Sequence, residues 1–223
     1  MFESKYSKVL TIILIIVIVA IVGLLGFLAF DYIQKYYIAK QASNFVEEYQ
    51  GDMTTGNENV TEGQTTENAI VEGLDETPTS VGTSATKKKY KGYSVVGTMK
   101  IPKINFEYPI LEEVSTKALE TAVIALYPSG DNLNLPGNTL IIGHNYRNGL
   151  FFSNIKKLSN GDKIYVTDYR GKSITYEIYN KFEASSTDTS FYQRDTNGLA
   201  ELTLSTCTDA SNDQRIIIFA KQI

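Results

Sequence analysis

Apolar and polar positions divide the chain into three stretches of different character. Residues 9–30 form an unbroken apolar run of mainly Ile, Leu and Val with no charged side chain. Residues 51–86 reverse that pattern: Thr, Gly, Glu and Asn dominate, with seven acids and neither Lys nor Arg. From about residue 93 to the end, short apolar runs alternate with clusters of turn-forming residues. The three patterns predict a membrane helix, a tether and a folded domain.

The first run would form a helix of roughly 33 Å, enough to cross a hydrocarbon core of about 30 Å. The competing reading is a cleaved signal peptide, whose apolar core is typically about 7–15 residues long. This run is longer and no Ala-x-Ala site follows it, which favours an uncleaved anchor. Lys5 and Lys8 precede the span, whereas Asp31, Lys35 and Lys40 follow it. The positive-inside rule therefore favours a cytoplasmic N-terminus by a small margin. Residues 1–8 are then a cytoplasmic leader, and the residues after the span lie on the extracellular face of the cell membrane.

Residues 31–50 have a helix-compatible composition that continues the span outward. Residues 51–86 carry too few large apolar side chains to offset the entropy of ordering, so they predict a disordered tether. As flexible coil it would reach on the order of 35 Å. Lys87, Lys88, Lys89 and Lys91 close it and are read as a solvated linker end in preference to a patch for anionic lipid. The predicted plan is a leader over 1–8, a transmembrane helix over 9–30, a juxtamembrane segment and tether over 31–92, and one domain over 93–223.

That domain is dense in strand signals. Runs at 95–101 and 106–111 flank a turn at 102–105. Residues 115–125 read as a short helix with Ser115 as its cap. A buried strand is expected at 138–143 and one or two helical turns at 150–158. Runs at 162–167 and 173–182 enclose a hairpin turn at 168–171. Two final strands cover 199–207 and 215–221. Many strands, few helices and short connections make the class mainly β, either a closed barrel or a sandwich.

The net charge of −4 comes with no basic stripe of the kind nucleic acids require. Cys207 is the only cysteine and His144 the only histidine, so an intrachain disulfide is excluded and the lone thiol needs another reason. Cys207 ends one strand run, Arg215 opens the next, and His144 ends the run 138–144. A thiolate is the reactive form of cysteine, and an imidazole can take the thiol proton and return it to a leaving amine. Attack on an amide carbonyl develops a negative oxygen, which a permanently charged guanidinium can stabilise. If the last two strands pair, Cys207 and Arg215 face each other across the mouth of their loop, with Cβ atoms about 5 Å apart.

From the residues alone two readings stay open. One is a cysteine nucleophile served by His144 and Arg215. The other is a non-enzymatic tethered surface domain for adhesion or assembly, in which Cys207 is a small buried apolar residue.

The run Thr203-Leu-Ser-Thr-Cys207, followed by Arg215 and its apolar strand, resembles the sortase signature. The run from Leu135 through Pro136, Gly137 and Gly143 to His144 and Asn145 is similar to the sortase segment that ends in the catalytic histidine. The resemblance extends over 93–223, in the family's order, and the single N-terminal span matches too. It implies an eight-stranded closed β-barrel with short helices and cysteine transpeptidation without a cofactor. A sorting signal of LPxTG type is cut between Thr and Gly, a thioacyl intermediate forms, and an amine receives the acyl group. By position Cys207 would be the nucleophile, His144 the acid and base, and Arg215 the stabiliser of substrate and oxyanion, with Thr206 as an added donor. The implied partners are the sorting-signal peptide of secreted surface proteins and an amine of a cell-wall precursor or pilin lysine.

The C-terminal motif with Asp209 looks like class B, while the segment 149–155 looks more like class D. The Asp-Pro-aromatic lid motif of pilus-building sortases does not occur. Some sortases bind calcium; Glu183, Asp188 and Asp195 are the acids that could approach one another here, against the plainer reading of solvated loop acids. A cysteine hydrolase on the same three residues differs only in whether water or an amine resolves the acyl-enzyme.

Overall fold

The computed structural model describes residues 3–57 and 86–223, which fall into two compact units divided between Gln41 and Ala42. Helix α1 (Glu3–Asn57) runs without interruption. Its residues 9–30 are exposed, and it is long and apolar enough to cross a membrane. Residues 51–57, expected in the tether, are helical. Residues 58–85, the centre of that expected tether, lie outside the described residues.

The helix persists past residue 41 because it acquires an apolar stripe with something to bury against. Ala42, Val46 and Tyr49, spaced four and three apart, are wholly buried, as one face of an amphipathic helix requires. The Phe45 ring packs against Tyr49 and Tyr90, Ser43 Oγ donates to the Glu107 carboxylate at 2.5 Å, and Lys88 pairs with Asp52. Residues 42–53 therefore belong to the β unit. The basic run is likewise drawn in: Lys87 Nζ lies 2.5 Å from Glu112 and 2.8 Å from Asp131.

A two-residue strand β1 (Lys89–Tyr90) precedes eight longer ones: β2 (Tyr93–Ile101), β3 (Phe106–Leu111), β4 (Val123–Tyr127), β5 (Gly137–Ile142), β6 (Lys163–Asp168), β7 (Ser173–Ser185), β8 (Ala200–Cys207) and β9 (Gln214–Gln222). Their order is β2-β3-β4-β5-β8-β9-β7-β6, and β6 pairs again with β2. The sheet thus closes on itself as an eight-stranded barrel, which removes the exposed edges an open sheet would present. The seam is antiparallel, with Thr98 opposite Thr167 and Met99 opposite Val166. Met99, Ile101, Ile110, Ile141, Val166, Tyr176, Leu204 and Ile217 are among the side chains it buries.

One expected element changes. The helix read over 115–125 is only α2 (Thr116–Leu119), capped where Ser115 Oγ accepts from the Ala118 N–H at 3.2 Å. Val123 and Ile124 instead open β4 and pair in parallel with Ile110 and Leu111. The β-branched pair gains more from a ladder than a second helical turn offers, and the parallel register needs the short crossover that α2 supplies. The turns expected at 150–158 are a 3-10 helix, Phe152–Lys157.

Candidate active site

Strand direction brings the candidate residues together. β5 and β8 are parallel neighbours, with Leu140 opposite Thr203 and Ile142 opposite Ser205, so both end at the same rim of the barrel. Two residues beyond that last pair stand His144 and Cys207. The continuation is held by two bonds: the Gly143 N–H donates to the Ser205 carbonyl at 3.2 Å, and Thr206 Oγ1 donates to the Gly143 carbonyl at 2.7 Å. β9 returns antiparallel from the same rim and sets Arg215 directly opposite Cys207. The expected pairing of the last two strands, and the facing of Cys207 and Arg215, are as the structure has them.

Cys207, His144 and Arg215 are each half-buried and border one cleft of about 270 Å³. Leu119, Leu126, Ile142 and Phe191 supply its apolar walls. The non-enzymatic reading needed Cys207 to be a buried core residue, and it is not. A larger cleft of about 640 Å³ lies between residues 50–53 and β6–β7, but its lining offers hydroxyls and the Lys100 amine, with neither thiol nor imidazole.

Burial pushes the His144 imidazole below the ordinary histidine value, and the Glu120 carboxylate offsets part of that. The ring is therefore neutral at neutral pH, the state a general base needs. It packs against Tyr146, ring centroids 4.7 Å apart, and its backbone carbonyl accepts from the Phe152 N–H at 3.0 Å. The Arg215 guanidinium donates to the carbonyl of Asn212 and, at 3.3 Å, to that of Gln214, which holds its charge at the mouth of the β8–β9 loop.

Thr206, expected as an added donor, lines the same cleft. Its hydroxyl is buried and donates to the Gly143 carbonyl, so it joins the strand of the thiol to the strand of the imidazole. Glu183, Asp188 and Asp195 do not converge. Asp188 and Asp195 each accept from a backbone N–H two residues on, and among the described residues no three acids, histidines or cysteines form a metal-holding group.

Sequence reasoning missed Asn145. Its Nδ2 donates to the Cys207 carbonyl at 2.9 Å and to Asp209 Oδ1 at 2.9 Å, while its Oδ1 accepts from the Arg147 N–H at 3.0 Å. Lys156 completes the link by pairing with Asp209, and together with Asn145 it holds that carboxyl below the usual carboxylate range. The residue after the histidine is thereby tied to the residues after the cysteine. Its position beside His144 was the available signal.

Known proteins similar in sequence or in shape lead to one family. Sortase A of Bacillus anthracis is 28% identical over 127 residues, 56% of this chain and 58% of the relative. The solved sortase A from Corynebacterium diphtheriae superposes with a TM-score of 0.53 at 28% identity, over 59% of this chain and 61% of that one. A Clostridium perfringens sortase D5 transpeptidase shares the fold at a TM-score of 0.52 and 24% identity, over 82% of this chain and 96% of that one. The chain thus spans somewhat less than two thirds of the length of the two sortase A relatives. The family profile described as the sortase domain matches residues 99–223, which include His144, Cys207 and Arg215, and the chain belongs to the sortase family.

Proposed function

We propose that this chain is a membrane-anchored cysteine transpeptidase that cuts an LPxTG-like sorting signal between Thr and Gly and joins the acyl part to a cell-wall amine. The observation that carries this reading is the register at one barrel rim: Arg215 opposite Cys207, with His144 two residues past the parallel pair Ile142–Ser205.

In the proposed cycle His144 takes the Cys207 thiol proton and Sγ attacks the threonine carbonyl carbon. The negative oxygen of the tetrahedral intermediate lies toward the Arg215 guanidinium, whose charge is lost at no relevant pH. The C–N bond to glycine breaks, and the leaving amine takes the proton from His144. The acceptor amine then attacks the thioester carbonyl and gives a proton to His144, and Cys207 leaves as the thiolate. Apolar walls beside the thiol favour an extended peptide and limit water, which supports amine transfer over hydrolysis.

The domain plan that goes with this keeps 9–30 as the anchor, the N-terminus inside and the barrel on the extracellular face. It moves residues 42–53 from the juxtamembrane segment and the start of the tether into the catalytic unit. The acceptor is an amine of a cell-wall precursor or of a pilin lysine, and no cofactor takes part.

The test uses the full chain in detergent micelles, an LPxTG-type peptide and triglycine, read by intact mass. The expected result is an adduct matching the acyl part of the peptide, absent in Cys207→Ala, together with a peptide–triglycine product. Cleavage at an equal rate without triglycine would replace transfer with hydrolysis. Absence of adduct with every sorting peptide, while iodoacetamide still labels Cys207, would reject the LPxTG-like signal.

A further inference from the structure

Residues 186–199 connect β7 to β8 and carry no regular secondary structure. Even so, this loop forms one wall of the cleft: Ser186, Asp188, Phe191 and Tyr192 line it beside His144, Cys207 and Arg215. A wall made of loop has to be held from behind, and one side chain does so. Arg194 leaves the loop and enters the barrel surface, where its side chain is only 15% exposed.

Its guanidinium reaches four strands. Nη1 donates to Glu201 Oε2 at 2.6 Å and to Tyr179 Oη at 2.5 Å. Nη2 donates to Asn138 Oδ1 at 2.8 Å and to Thr203 Oγ1 at 3.2 Å. The planar group stacks on Phe219, with Cζ 3.8 Å from the ring centroid. Asn138, Tyr179, Glu201 with Thr203, and Phe219 belong to β5, β7, β8 and β9 in turn.

The same network grips the aromatic wall directly. Asn138 Nδ2 donates to the carbonyls of Phe191 at 3.3 Å and Tyr192 at 3.0 Å, while Arg194 holds the other end of that amide. Phe191 packs on Leu140, Ala184 and Ile217. Glu201 is 8% exposed, so the ion pair is shielded from water. A shielded, multiply bonded pair of this kind contributes geometry more than net stability, and removal of one partner strands the other. A lysine could neutralise Glu201 but has no planar fork to reach Asn138 and Thr203 at the same time.

We propose that Arg194 is a positioning residue that holds residues 186–199 as a fixed wall of the Cys207 cleft, so that the cleft is pre-formed for the acyl-donor peptide. The substrate named here rests on the transpeptidase reading; the positioning of the loop does not. Loss of Arg194 is then felt in donor binding, because the thiol, imidazole and Arg215 sit on strand ends that the network does not touch.

The experiment compares wild type with Arg194→Met, Arg194→Lys and Glu201→Gln, each as the full chain in micelles. Hydrogen exchange by mass spectrometry should rise about tenfold or more across residues 186–199 in Arg194→Met, with β8 and β9 still slow. KM for the sorting peptide should rise about tenfold with kcat within about twofold. Glu201→Gln should move both readouts the same way, and Arg194→Lys should fall between wild type and Arg194→Met. Iodoacetamide labelling of Cys207 should stay within about twofold throughout, since a small reagent needs no wall.

Unchanged exchange and KM in both Arg194→Met and Glu201→Gln would overturn the proposal, as would a fall in kcat at constant KM. If those two variants fail to fold, Arg194→Lys decides: wild-type exchange and KM there would overturn it. A wild type that turns over no sorting peptide, with loop exchange rising in Arg194→Met, would sink the transpeptidase reading and leave the positioning role standing.

Discussion

Thr206 Oγ1 donates a 2.7 Å hydrogen bond to the carbonyl of Gly143, joining the residue before Cys207 to the residue before His144. The thiol and the imidazole come from strands 63 positions apart in sequence, and this bond together with Asn145 keeps their ends in step. Thr206→Val keeps the shape and removes the donor, leaving a buried carbonyl unpaired. A loss of about 1–3 kcal/mol of stability is expected, with about a tenfold fall in acyl-enzyme formation, while Thr206→Ser keeps most of both. Denaturant unfolding and intact-mass kinetics check this; a Val variant equal to wild type in rate would remove Thr206 from the positioning of the site.

Gly143 has no room for a side chain. A Cβ there would sit 2.8 Å from Phe152 Cδ2 and 2.9 Å from Val123 Cγ1, and both side chains belong to the packed core. Gly143→Ala should cost about 1–3 kcal/mol through overpacking and displace His144, the next residue. Transpeptidation should fall by about a hundredfold or more. Retention of full activity would mean that Phe152 yields without moving the imidazole.

A single histidine makes the imidazole directly observable. The His144 resonance of the full chain should titrate with a midpoint below about 6.5, the ordinary value, because burial disfavours its charged form. Glu120→Gln removes the charge that partly offsets burial, so the midpoint should fall further. The sign for stability follows from linkage. With the folded value depressed, the unfolded chain binds the proton more readily below about 6.5, so stability is lost as pH falls from there toward the folded midpoint. His144→Gln should lose that part of the slope in parallel unfolding curves; a midpoint above 6.5 in the folded chain would refute the assignment.

Arg215 faces Cys207 in the β8–β9 register, and its fork is oriented by the carbonyls of Asn212 and Gln214. Arg215→Lys keeps a positive charge but loses the planar donor pair, so kcat/KM for a sorting peptide should drop about a hundredfold. Iodoacetamide labelling of Cys207 should persist, separating loss of oxyanion support from loss of the nucleophile. An unchanged kcat/KM would assign Arg215 to the loop alone.

Tyr49 tests how far the β unit reaches toward the N-terminus. It is wholly buried, packs on Phe45, and lies under the Lys88 ammonium, 5.6 Å from the ring centroid. Tyr49→Ala in the full chain should lower barrel stability by about 3–5 kcal/mol, as for other buried aromatic truncations. A chain cut at residue 86 should be weaker than one cut at residue 41. Equal melting temperatures for those two chains would return residues 42–57 to the juxtamembrane segment and tether.

The sequence by itself determined what depends on local pattern and on residue chemistry. The apolar run 9–30 announced a helix long and apolar enough to cross a membrane. Alternation and turn residues placed most barrel strands within a residue or two, and the only thiol and only imidazole marked the ends of two of them. The pairing of Cys207 with Arg215 was legible because a hairpin is a local structure, set by two adjacent strands and their loop.

Only the tertiary structure decided what depends on non-local neighbours. Val123 and Ile124 became a strand, not a helix, because Ile110 and Leu111 stood ready as parallel partners. Residues 42–53 joined the β unit because Tyr90 and Glu107 awaited their apolar and polar faces. Thr206 bonds to Gly143 because β5 lies beside β8, and Arg194 meets side chains of four strands that only the closed barrel brings together. Side-chain direction and strand adjacency are set by the closure of the barrel, and no window of sequence contains that closure.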